Sequence, residues 1–153
     1  MMEKELYEML VKEEKIITSL IEAAKLKQNV IVQNDYDGLS KVNETESKLL
    51  SELDKISRNQ QKSVGRLFEI NSIKENGKPR ILSILLSEYK DLFNPTELQK
   101  INNLRLSVRN QVKELTGINY QNRFLIEHAS SLVKETISLL LKTRKTSLID
   151  RKI

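Results

Sequence analysis

Apolar residues recur three and four positions apart along three long stretches of this chain, a spacing that lines them up on one face of an α-helix. In the first, Leu6, Leu10, Ile17, Leu20, Ala24 and Ile31 share a face with Glu13 and Lys27, and Met9, Ile16, Ala23 and Val30 widen it. That predicts a helix over 1–33. Asn34, Asp35, Asp37 and Gly38 then concentrate turn and cap chemistry, because short polar side chains accept hydrogen bonds from the free amides that open the next helix. A tight reversal is expected there. The second stripe reads Leu39, Val42, Glu46, Leu49, Leu53 and Ile56, lapses over polar residues 57–63, and resumes at Val64, Leu67 and Phe68, predicting a helix over 35–70.

Asn76-Gly77-Lys78-Pro79 marks a loop, since proline and glycine forbid helix continuation. The next segment, 81–93, is apolar on several sides and is predicted to be a short helix that plugs one end of a bundle. Asn94-Pro95-Thr96-Glu97 is a helix start, with Asn94 as N-cap, proline in the first helical position and glutamate placed to reach back. The helix it opens is predicted over 95–141, ahead of a basic tail at 142–153. Gly117 raises the question of a kink, and one continuous helix is the expectation.

The stripe of this last helix runs Leu98, Ile101, Arg105, Val108, Val112, Leu115, Asn119, Asn122, Ile126, Ala129, Val133, Thr136 and Leu140, a heptad alternation over some forty residues. Leu20, Leu53 and Val112 fall in mid-stripe and are expected in the core. In the second half a further column, Ile118, Leu125, Leu132 and Leu139, lies beside the first two, with Phe124, Ile137 and Leu141 wider still. Such a face is broader than one neighbouring helix can bury. Either two helices of the chain cover it, or it is a groove for foreign helices. Asn119 and Asn122 occupy consecutive stripe positions, where polar side chains cost stability and set register, or alternatively read a partner. The whole describes an all-α single domain, an up-down bundle of long antiparallel helices with one short plugging helix.

Composition removes most other functions. Four Gly, two Pro and seven aromatics in 153 residues, with 31% charged, fit helices and no sheet. With no cysteine and one histidine, neither a disulfide nor a zinc site is expected. No phosphate loop, nucleophile elbow or metal-spaced cluster occurs, so neither an enzyme nor a cofactor is expected. Glu13 and Glu46 read as polar breaks in the core, meeting Lys27 or Lys41. The net charge of +5 sits mostly in the last twelve residues, where five cations face Asp150 alone and leave +1 for the rest. A basic stripe with interleaved aromatics, as nucleic-acid binding needs, is missing. No apolar run approaches the ~20 residues of a membrane span, and no export signal is visible at the N-terminus, so a cytoplasmic protein is expected.

Two motifs carry a family resemblance. Leu39-x-x-Val42-x-x-x-Glu46-x-x-Leu49-Leu50-x-x-Leu53-x-x-Ile56-x-Arg58 is similar to the second helix of FlgN-type flagellar export chaperones, and Leu115-x-x-x-Asn119-x-x-Asn122-x-x-Leu125-Ile126 resembles the Asn-x-x-Asn-x-x-Leu-Leu stretch of their last long helix. The resemblance implies a bacterial cytoplasmic protein that keeps hook-filament junction proteins unpolymerised and delivers them to the flagellar type III export apparatus. It also implies binding through the C-terminal part of the last helix, where Leu125, Ile126, Leu132, Val133, Ile137, Leu140 and Leu141 lie. The alternative from the residues alone is a structural or signalling coiled-coil module that homodimerises through that helix. For a chaperone, at most a weak homodimer is expected.

Overall fold

The computed structural model describes residues 2–73 and 77–152, the side chains of residue 2 and of 146–152 excepted. Among the described residues, three long helices and one short one follow in the order α1 (Met2–Val32), α2 (Tyr36–Ile70), α3 (Leu82–Glu88) and α4 (Pro95–Lys152), with a 3-10 turn at Lys90–Leu92. Asn76 of the expected loop lies outside the described residues.

Local chemistry explains the element ends. Asn34 adopts a left-handed backbone (φ 55°), which lets its amide and that of Asp35 donate back to the carbonyls of Ile31 and Val30 at 3.1 and 2.9 Å. Asparagine tolerates this conformation better than most residues, so the last carbonyls of α1 are satisfied without glycine. Asp35 then caps α2, its Oδ1 accepting from the amide of Gly38 at 2.9 Å. A Cβ on Gly38 would collide with the other Asp35 carboxylate oxygen, so the cap needs glycine there. At the far end of α2, Ser72 (φ 52°) repeats the left-handed stop, and Ile73 N–H donates to Phe68 O at 3.0 Å. Asn94 Oδ1 accepts from the amide of Thr96 at 2.9 Å, as expected of the N-cap before Pro95. Glu97 does not reach back as expected but pairs with Lys100 at 3.1 Å.

α1 is the centre of the molecule, packed along both α2 and α4. Two side-chain pairs show that α2 runs antiparallel to it: Gln60 Nε2 donates to Glu13 Oε2 at 2.7 Å, and Lys27 Nζ to Glu46 Oε2 at 2.9 Å. Lys27–Glu46 is the pairing expected from the stripe, whereas Glu13 takes its partner from the polar stretch that interrupts the apolar stripe of α2. Three α1–α4 pairs have a separation of 93 residues, Glu14 with Ser107, Thr18 with Gln111, and Gln28 with Gln121, and Lys25–Glu114 and Ala24–Asn122 lie on either side of it. A separation that does not drift along the helices means that they are parallel. The long helices therefore run up, down and up, with antiparallel neighbours in sequence and the first and last side by side in the same direction.

The tightest core lies at the lower end, where Leu6 and Leu10 of α1, Val64, Leu67 and Phe68 of α2, and Ile101 of α4 close around Leu85 and Leu86 of α3 and Phe93. Tyr89 packs edge-on against Phe68, with ring centroids 6.1 Å apart. This is the expected plug. Higher up, α2 has only α1 to lean on, so Leu49, Leu53 and Ile56 are half-buried. Of the three mid-stripe residues expected in the core, Leu20 is buried, Leu53 is half-buried and Val112 is 44% exposed.

α4 is continuous through Gly117, as expected, and extends past Leu141 through the basic segment to Lys152. At a rise of ~1.5 Å per residue it is roughly twice as long as α1.

Two outcomes in chemical denaturation test this packing. Leu20→Ala costs ~2–5 kcal/mol, as for a buried leucine, while Val112→Ala stays within about 0.5 kcal/mol, as for a surface site; equal losses would overturn the register. Gly117→Ala raises stability by about 0.5–1 kcal/mol, because a Cβ there meets nothing within 4 Å and the backbone is already helical.

Candidate partner-binding site

The face of α4 that meets α1 is built from two columns. One is Ile101, Val108, Leu115, Asn122 and Ala129, all buried or half-buried, as the heptad alternation predicts. The second departs from it. Leu104, Gln111, Ile118 and Leu125 are half-buried against α1, whereas Val112, Asn119 and Ile126, from the column expected inside, are exposed. The displaced column turns toward α2 across a gap. Leu20, Lys27, Glu46 and Leu50 face Leu115, Asn119, Asn122 and Ile126 around a cavity of about 360 Å³ there.

Asn119 and Asn122 consequently differ. Asn122 is 2% exposed, and its Nδ2 donates to the carbonyl of Ala24 at 2.8 Å. The small side chains Ala23 and Ala24 are buried at this level, so the backbone of α1 comes within reach of an asparagine. Asn122 Oδ1 is buried and accepts no hydrogen bond from the protein. Asn119 lies exposed at the rim of the cavity. Lower down, Arg105 is pushed below its usual pKa by burial and by Arg109 beside it, with Glu13 acting in the opposite sense; a guanidinium so placed remains charged at any working pH. His128 is exposed and stacks on Phe124, ring centroids 6.0 Å apart.

The register decides where cover ends. A separation of 93 residues carried to Val32, the last residue of α1, reaches Leu125. One column makes the loss visible: Ile118 and Leu125 are half-buried, while Leu132 and Leu139 above them are 51% and 65% exposed. Ile126, Val133, Ile137, Leu140 and Leu141 are all more than 40% exposed. Of the seven residues expected to bind a partner, only Leu125 touches the bundle substantially. The remainder form a bare apolar face at the end of α4, on the side that carries α1 below.

At the foot of this face lies a groove of about 570 Å³, where Val30, Ile31, Tyr36 and Leu39 form a floor and Ile126, Ala129, Leu132 and Val133 a wall. Periodicity does not reveal the floor. Tyr36 and Leu39 belong to α2, and only the height at which the α1–α2 turn meets α4 brings them to the site.

The chain matches the family model described as FlgN protein over residues 1–149. It belongs to the FlgN family. No curated protein and no solved structure matches it. As a FlgN-family member it is a flagellar export chaperone, and among its described residues no helix is long and apolar enough to cross a membrane.

Replacing Asn122 tests whether it sets register. Asn122→Leu removes a buried, unpaired acceptor and adds apolar burial, and raises stability by about 1 kcal/mol while admitting other oligomers that light scattering detects. Asn119→Leu leaves stability near the parent value. A net loss at Asn122 would mean that the bond to Ala24 outweighs the unpaired oxygen.

Proposed function

We propose that the end of α4, from Leu125 to Leu141, binds the helical terminal segments of hook-filament junction proteins, that the chain thereby keeps them from polymerising in the bacterial cytoplasm, and that it delivers them to the flagellar export apparatus. The observation that carries this reading is the loss of cover beyond Leu125 on a face that stays apolar. A free client helix with an exposed stripe associates with its own kind. A chaperone prevents this by offering a matching stripe, as in helix-in-groove recognition. Family membership supports the chaperone role, and the junction proteins are the clients that the two sequence motifs imply.

On this reading binding and folding are separable. Among the described residues, all the buried ones, from Leu6 to Asn122, precede the bare face. Truncation after Glu127 therefore leaves a folded helical bundle, seen in circular dichroism and a cooperative melt, that no longer captures junction proteins in pull-downs or shows heat of binding in calorimetry. A truncated chain that binds as well as the full one would overturn the site.

A further inference from the structure

We infer that the groove at the head of α1 and the face above it receive a client helix lying parallel to α4, its amino end over the α1–α2 turn and an acidic carboxy end against Arg144 and Lys145. This rests on the reading that the end of α4 is the client site, and adds the polarity and charge of the occupant. The foot carries no net charge, since Asp35 in the groove has Lys134 on the facing wall, and the opposed dipole ends of α1 and α2 cancel where the two helices meet. The tip is positive, with Lys142, Arg144 and Lys145 exposed and Glu135 lying between the two zones. A helix carries a positive amino end and a negative carboxy end. Laid parallel to α4 it sets its negative end against the cations of the tip, and laid antiparallel it sets its positive end there. From Ile126 to Lys145 the face has room for about five and a half turns at 3.6 residues each.

A second copy of the chain is the poorer occupant. Set antiparallel so that Ile137 meets its own mate, Lys145 reaches the level of Ala129 and residues 146–152 run into the turn that closes α1. Slid outward to clear the turn, the pair opposes Ile137 and Leu140 with Lys145 and Lys142. Two copies in parallel bring their cations together.

The probes are two capped amphipathic peptides with the same apolar stripe, one acidic in its last turn and one with glutamine there, titrated into the full chain. The acidic peptide is expected to bind about tenfold tighter at low salt, with the advantage shrinking as salt rises and vanishing in Arg144→Glu/Lys145→Glu. A spin label on its carboxy end should broaden the amides of Leu139 to Leu141, and one on its amino end those of Tyr36 and Leu39. Equal affinities, exchanged broadening or no binding by either peptide would overturn the inference, as would a stable dimer that cross-links through Leu139. Junction proteins that bind the full chain despite such a result would leave the client reading standing; junction proteins that do not bind at all would remove that reading whatever the peptides do.

Discussion

The parallel contact between α1 and α4 is the constraint on which the rest of the molecule depends. α2 makes its main packing with α1, and so does α4, so α1 is the common wall. The polar pairs from Glu14–Ser107 up to Gln28–Gln121 hold one register over most of its length. Each such pair at or near the surface contributes little on its own. Their agreement, together with Asn122 on the Ala24 carbonyl, leaves one alignment in which all are satisfied at once. A slip of one turn would take Asn122 off the Ala24 carbonyl and move Gln111 away from Thr18, costs that a uniformly apolar seam would not impose.

What was legible in the sequence was mostly local. The Asn34–Gly38 reversal, the Asn94-Pro95 start and the plugging segment each rest on a few adjacent residues whose conformational preferences need no distant partner, and the structure has them where expected. The long helices were legible for the same reason, since their periodicity persists over many turns. The inward face of α4 was legible only by half. Three adjacent columns are apolar enough to face a neighbour, and the choice between the column of Ile118 and Leu125 and the column of Val112 and Ile126 depends on the direction from which α1 approaches. That direction is a tertiary quantity. The same gap explains why Leu53 is half-buried: its spacing says that it faces a helix, and nothing in the spacing says that no second helix closes over it.

The candidate site was legible as a width and not as a place. A face broader than one helix can cover was visible from residues 118–141 alone, but both covers were open, the chain's own helices or a foreign one. The register between α1 and α4 decides how much of that face each takes. Below Leu125 the chain covers its own face, and above it the apolar residues stand in solvent beside a floor contributed by the head of α2.

The separation of the buried residues from the bare face has a consequence for how such a protein changes over generations. Core substitutions are constrained by volume and by the cost of cavities, whereas residues beyond the last buried one carry little of the fold's stability. The end of α4 can exchange its side chains without first acquiring compensating changes in the bundle. With the bare face as the client site, as proposed, stability and partner choice are written in different segments of one helix, so drift in the second need not await repair in the first.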